Sequence, residues 1–272
     1  MKQLIHLMGV VFACTALSSA FAGTEAYSGK EMKQVAPAPL PECDFTWTGF
    51  YIGGNAGYAW GHADTDFDPR PDPATFANLR PTTLSPDPDG FIGGGQAGYN
   101  WQWNKWLVLG LETDFQGTDI EGHDSQSPII QNNGTPFPTA GSFLEAHERL
   151  QWLGTARGRI GFSPICRLLL YGTGGFAYGN VDYSANTNFN NGVTYPVDFT
   201  ETKTGWAAGG GVEYAISKHW TVKAEYLHYN LGDAKRTQNQ LVGGVPQGPP
   251  FFVHYNFDTS GEIVRGGLNF KF

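Results

Sequence analysis

The last ten residues, Ile263 to Phe272, constrain the fold more than any other stretch. Phe272, Phe270, Leu268, Gly266 and Val264 fall on one phase of a two-residue alternation, and Lys271, Asn269, Gly267 and Arg265 on the other. Period two is strand geometry, because successive side chains leave a strand on opposite faces. A soluble strand would set its apolar face on a core, yet no helical segment elsewhere offers a partner for it. A terminal strand that is apolar outward and charged inward suits a closed sheet whose surroundings are lipid.

The amino terminus points to the same compartment. Lys2 supplies a basic start, Leu4 to Leu17 are mostly apolar, and Ala20-Phe21-Ala22 matches a cleavage site before Gly23. This pattern predicts a secretory signal peptide over 1–22. Cys14 lies inside it, and the preceding Val11-Phe12-Ala13 fits a lipoprotein signal poorly. No later stretch approaches the roughly 18 uninterrupted apolar residues of a membrane helix. Residues 23–46 form a polar, Pro-bearing tether on the periplasmic side (Ala36-Pro37-Ala38-Pro39-Leu40-Pro41), and 47–272 form the barrel. With 25 acidic against 17 basic residues, nucleic acid is excluded as a charge-driven partner.

Strand-like alternation recurs along the chain. Trp47 to Gly61 turns Phe50, Ile52, Tyr58 and Trp60 outward, and Gly90 to Trp103 does the same with Phe91, Tyr99, Trp101 and Trp103. Trp106 to Gln116 presents Leu107, Leu109, Leu111 and Phe115, and Arg149 to Phe162 presents Leu150, Trp152, Ile160 and Phe162. Three further segments open at Cys166, Thr204 and His219, and the terminal strand begins near Phe252. Short connections at 104–105, 163–165 and 217–218 alternate with long ones near 62–89, 117–148, 180–203 and 231–251. The expectation is an all-β fold, an eight-stranded antiparallel up-and-down transmembrane β-barrel with short periplasmic turns and four long outer loops. Aromatic residues near strand ends, Trp47 among them, fit interface girdles.

The inward phase carries the strongest chemical signal. Glu112, Asp114, Glu213 and Glu225 are acids; Arg157, Arg159, Lys223 and Arg265 are bases. A small barrel has an interior only wide enough for side chains to fill. Charges survive there only when paired, so balanced signs predict a closed, salt-bridged plug rather than an ion pathway.

Two segments nearly repeat each other. Gly49-Phe50-Tyr51-Ile52-Gly53-Gly54-Asn55-Ala56-Gly57-Tyr58-Ala59-Trp60 and Gly90-Phe91-Ile92-Gly93-Gly94-Gly95-Gln96-Ala97-Gly98-Tyr99-Asn100-Trp101 agree at eight of twelve positions. With Gly154 to Gly161, Tyr171 to Gly179 and Gly205 to Tyr226, they resemble the strands of the alphaproteobacterial outer-membrane immunogenic and hemin-binding proteins. That family sits among the opacity-protein and OmpA-like barrels. The terminal strand likewise resembles the C-terminal recognition segment of bacterial outer-membrane proteins. The resemblance implies outer-membrane location, contact with outer-membrane lipids and lipopolysaccharide, and delivery to the barrel assembly machinery through Phe272. It implies a structural or surface-interaction role, with an extracellular ligand or host factor unnamed.

Other motifs carry less. Gly93 to Gly98 satisfies a dinucleotide-binding spacing but lies inside a strand pattern rather than between strand and helix. Asp64-Thr65-Asp66-Phe67-Asp68 opens like a calcium loop, yet Pro69 and Thr75 occupy the positions that need Gly and Glu; it reads as an acidic solvated loop, and no metal is expected. His62, His123, His147, His228 and His254 map to the outer rim, where haem ligation is the alternative to plain surface histidines, and no spacing pairs one with another. Ser142 and Ser260 lack an evident base for catalysis, so no enzyme is expected. Cys43 and Cys166 both fall at the periplasmic end of an oxidising compartment. They can pair if the tether folds under the barrel mouth, although Pro41 favours an extended chain; free thiols or an intermolecular link are the alternatives. The functional expectation is envelope integrity and surface display, with a hemin receptor or small porin-like channel as the rival and a lipid A-modifying enzyme as the second.

Overall fold

Alternating apolar residues dictate strands here, and the computed structural model consists of little else. It describes residues 44–68, 79, 81–131, 133–248 and 252–272. The expected signal peptide, the tether through Cys43 and the stretch from Pro69 through Thr75 lie outside the described residues. No helix among the described residues is long and apolar enough to cross a membrane, which says nothing of strands.

Among the described residues, twelve strands form one antiparallel sheet. They are β1 (Gly49–Asp68), β2 (Thr82–Leu84), β3 (Asp89–Gln102), β4 (Leu107–Gln126), β5 (Phe143–Ile165), β6 (Leu168–Asn188), β7 (Val193–Thr194), β8 (Val197–Ala215), β9 (Trp220–Asn239), β10 (Leu241–Val242), β11 (Val245–Pro246) and β12 (Phe252–Lys271). The long strands pair in chain order, and β12 returns to β1 from Tyr51↔Lys271 to Asp68↔His254, so the sheet closes and its main edge disappears. Four strands were not anticipated: β2, β7, β10 and β11 are pieces of two or three residues within the long connections.

The connections differ from expectation in a second way. β1, β4, β6 and β9 run far into segments expected to be loops, and β5 and β8 begin well before their expected starts. Asp64 and Asp66 therefore sit on the outer face of β1, not in a loop, and accept hydrogen bonds from Ser85 (2.7 Å) and Thr83 (2.6 Å). At the opposite end the connections are tight. Asn104 Oδ1 accepts from the Trp106 and Leu107 amides, and Ser217 Oγ accepts from those of His219 and Trp220. The β5–β6 turn is Cys166-Arg167 rather than 163–165, because β5 continues through an irregularity to Ile165.

Side-chain orientation splits the tube into two halves. In the turn half, Phe50, Ile52, Phe91, Leu111, Ile160 and Phe176 face outward and exposed, while Asn100, Glu112 and Arg157 are buried inside. In the loop half the pattern inverts. Ala59, Phe67, Ile120, Leu150, Val181, Tyr183, Tyr255 and Phe257 are buried in one apolar cluster. Asp64, Glu121, His123 and Asp182 stand on the outer phase. Leu150, expected outside, is buried; the register shift between Leu150 and Trp152 inserts Gln151 and flips the phase above it.

Trp47 also departs from expectation. It precedes β1, is 1% exposed and belongs to no outer girdle. With Phe45 it packs on Val108, Leu169, Tyr171 and Ala215 at the turn end. Its amide donates to Gln102 Oε1 (2.9 Å) and its indole to Ser163 Oγ (3.3 Å). The last tether residues thus fold into the barrel end as a hydrophobic cap.

Candidate functional site: the ion-paired lumen and its cap

Five strands of the turn half bring inward charges to one level. β4 supplies Glu112 and Asp114, β5 supplies Arg157 and Arg159, β9 supplies Lys223 and Glu225, and β12 supplies Arg265. Glu213 of β8 completes the set. Each lies on the inward phase, and the three pairs on β4, β5 and β9 are spaced i, i+2, which is how a strand stacks side chains on one face.

The charges are joined into one network. Arg157 reaches Glu112 (2.8 Å), Asp114 (2.8 Å) and Glu225 (3.2 Å). Arg265 reaches Asp114 (2.7 Å) and Glu225 (2.5 Å). Lys223 lies 2.8 Å from Glu112, and Arg159 bridges Glu213 (2.7 Å) and Glu112 (3.3 Å). The paired side chains are 0–2% exposed. With four acids and four bases in contact, Coulomb attraction and charge-assisted hydrogen bonds offset the desolvation of each.

Neutral residues finish the hydrogen bonding, a part that charge alone does not predict for them. Tyr51 Oη donates to Glu112 (2.8 Å) and Tyr171 Oη to Glu225 (3.0 Å), while the Arg159 guanidinium lies 3.9 Å over the Tyr171 ring. Thr221 donates to Glu213 (2.5 Å), as does Asn269 (3.0 Å). Gly98 faces Tyr51 and Gly211 faces Tyr171 across neighbouring strands. A Cβ at either glycine would collide with the tyrosine ring, so glycine there lets each phenol lie along the wall. The inward phase of Tyr51 and Tyr171 was the available sequence signal.

Below the network, toward the turns, sits the Phe45–Trp47 cap. Asp44 and Arg167 pair at 2.9 Å, and the guanidinium holds the Asp44 carboxyl below its usual range. Cys166 is disulfide-bonded and half-buried against the cap; Cys43 lies outside the described residues.

The rim histidines are not as separate as their spacing suggested. His123 and His147 are direct partners on β4 and β5. His62 and His228 flank Glu262 at 3.5 and 3.4 Å, on three adjacent strands. His254 bonds Thr237 (2.8 Å), and His219, at the turn end, meets the Lys271 carbonyl (3.0 Å). Spacing along one chain cannot report a cross-strand neighbour, which is why these pairings were missed. Among the described residues no group of three or more His, Cys, Asp or Glu is arranged to hold a metal ion. Ser142 accepts from the Ile129 amide and Ser260 donates to the His62 carbonyl, neither engaging an imidazole.

A closed antiparallel tube, apolar outside where it is charged inside, is the arrangement that lipid selects. The sequence profile of the family described as outer membrane protein beta-barrel domain matches residues 13–245. The chain belongs to that family. It is 39% identical over 240 residues to the 31 kDa outer-membrane immunogenic protein of Brucella melitensis, covering 87% of this chain and 88% of that one. It is 30% identical over 222 residues to the 22 kDa outer membrane protein of Rhizobium leguminosarum bv. viciae, covering 82% of each. Among solved structures, the Escherichia coli outer membrane protease OmpT aligns over 84% of this chain and 98% of its own at 11% identity and a TM-score of 0.48, a likeness with no bearing on activity. The protein is therefore an outer-membrane β-barrel of the alphaproteobacterial immunogenic-protein family, located in the outer membrane of a Gram-negative bacterium.

Proposed function

We propose that the protein is a sealed, non-enzymatic structural barrel, in which the eight long strands form the transmembrane wall, the turn half is the membrane half with periplasmic turns, and the loop half is external and displays loops at the cell surface. The observation that carries this reading is the lumen: an ion-paired network with almost no exposed side-chain surface, underlaid by Phe45 and Trp47. Such a plug stiffens the wall and leaves no aqueous path, which favours envelope integrity over transport. Display is supported by the immunogenic relatives and by strands that continue past the girdle of Trp60, Trp152 and Trp206. Phe272, exposed at the end of the terminal strand, is the group offered to the assembly machinery.

Planar-bilayer recording of the purified protein tests the seal. The expected trace has no unitary steps, and regular ohmic steps would overturn the reading. A deletion strain should admit large antibiotics that the parent excludes. If Cys43 is the disulfide partner of Cys166, the tether is stapled beneath the mouth, and non-reducing peptide mapping should recover that cross-link from monomer. Hemin capture is the second reading, favoured by the facing His123 and His147; hemin titration of His123→Ala and His147→Ala variants tests it, and unchanged binding removes it.

A further inference from the structure

Among the described residues, the long strands β8 and β9 part company in the external wall. β8 and β9 pair from Ala215↔Thr221 up to Trp206↔Asn230 and then stop. Above that point, Val197–Gly205 bonds only to β6, through Val197↔Ala185. Gly232 through Asn239 bonds only to β12, through Asn239↔Phe252. Among the described residues no backbone pairing crosses between these edges, although the seams on either side continue to the loops. The cause is local. Gly232 takes a left-handed φ of 72°, its amide donates to Asn230 Oδ1 (2.8 Å), and the β9–β12 register shifts at Thr259/Ser260. The resulting bend turns β9 away from β8. Higher up the gap is closed again, since β7 pairs with β10 (Val193↔Val242, Thr194↔Leu241) and the Gly243 amide donates to the Gly192 carbonyl (2.8 Å). The result is a framed window, its sill at the Trp206 girdle, about eight or nine residues or roughly 25–30 Å tall at strand rise.

Only side chains span the window. Arg236 pairs with Glu201 (2.9 Å) and lies 4.1 Å over the Phe199 ring, and Lys203 Nζ donates to the Asp233 carbonyl. This latch is half-exposed, a setting in which ion pairs contribute little and open readily. Behind it runs a continuous apolar track. Phe199 stacks on Tyr183 (5.1 Å), and both meet Phe257 (5.7 and 4.9 Å). The track ends on a polar relay: Tyr183 Oη donates to Thr259 Oγ1 (2.7 Å), which donates to Glu148 Oε1 (2.8 Å). Glu148 is 2% exposed, and among the described residues it faces no cation and its Oε2 has no hydrogen-bond partner. A carboxyl left half-satisfied at the end of an aromatic track is a costly feature that a structural role does not require.

We propose that the window is a lateral route from the outer leaflet boundary into the external half, and that it admits a small apolar ring compound bearing one hydroxyl or amine, which docks on Tyr183, Phe199 and Phe257 and bonds Glu148. This function is separate from the sealed membrane lumen beneath.

The test uses the full-length protein in lipid nanodiscs and a photoreactive alkylphenol, with labelled peptides mapped by mass spectrometry. The expected labels fall on Tyr183, Phe199 and Phe257, and the probe's methyl ether should label them roughly tenfold less, the cost of one lost hydrogen bond to a buried group. In Glu148→Leu the phenol and its ether should label alike. Glu201→Gln should raise labelling about two- to threefold, the scale of an exposed ion pair. Bridging Glu201→Cys to Arg236→Cys with a bifunctional maleimide should suppress it. Labels confined to lipid-facing residues such as Leu111 and Phe176, equal labelling by phenol and ether in the parent protein, or full labelling of the bridged variant would each overturn the proposal.

Discussion

The two halves of this barrel are built from the same strands and opposite solvents. Within β4, Leu111 and Phe115 point outward and exposed while Glu112, Asp114 and Gln116 are buried. A few residues on, Ile120 is buried, and Glu121 and His123 face water. In the membrane half polarity belongs inside because hydrocarbon surrounds the wall. In the external half the ordinary rule for water returns, and apolar side chains fill the interior. The inward charges can be neutralised only by one another, whereas the external core is held by non-directional packing. The first region therefore depends on specific partners and the second on volume.

Breaking the lumen network should have the largest effect. Arg157→Met leaves Glu112, Asp114 and Glu225 short of a cation, and Glu225→Gln leaves Arg265 with Asp114 as its one close carboxylate; each should cost about 3–5 kcal/mol. The double variant should recover part of the summed loss, because the two residues share an ion pair. Urea titration of the folded, heat-modifiable band is the measurement, and strict additivity would speak against a network.

The wall itself gives the next contrast. Leu111→Arg places a charge in hydrocarbon and should cost roughly 2–4 kcal/mol. Ser125→Arg, outward on the same strand but in the external half, should stay within about 0.5 kcal/mol. Equal losses in the same titration would erase the distinction between the halves.

Glu148 sharpens the comparison from the other side, as an acid buried without a cation in the apolar half. Burial pushes its pKa up to about 8, with Asp258 adding repulsion and the Thr259 hydroxyl opposing both. The folded state thus holds this proton over a range where the unfolded chain, with an ordinary carboxyl near 4.5, has released it. Stability contributed by the neutral form should fall as pH rises from about 4.5 to 8, by up to about 1.4 kcal/mol per unit, and then level off. Glu148→Gln should remove that slope, read from denaturation midpoints across the same range. An unchanged slope would mean other groups set it.

These contrasts also explain what the sequence disclosed. The membrane half was legible because each strand carries apolar residues on one phase and polar ones on the other, so Phe50, Leu111 and Val264 announced the outward face and Arg157 and Glu225 the inward one. The external half hid behind the same rule. Val181, Tyr183 and Ala185 alternate with Asp182, Ser184 and Asn186 just as cleanly, but on the opposite phase, and they sit among Asn, Gly and Thr that resemble loop composition. The phase slip at Gln151 concealed Leu150, and no local pattern announces that Trp47 turns into the barrel end. Cross-strand neighbours such as His123 and His147 depend on register, which one sequence does not supply.

The most direct test of the two-solvent account is a spin-label scan along the outward positions of β4, one label at a time, in lipid vesicles. Labels at 107, 109, 111, 113 and 115 should relax strongly with oxygen, which concentrates in hydrocarbon. Labels at 119, 121, 123 and 125 should relax with a water-soluble nickel chelate, with the crossover near Gly117. Oxygen dominance along the whole strand, or chelate access at 109 and 111, would contradict the inversion on which this account rests.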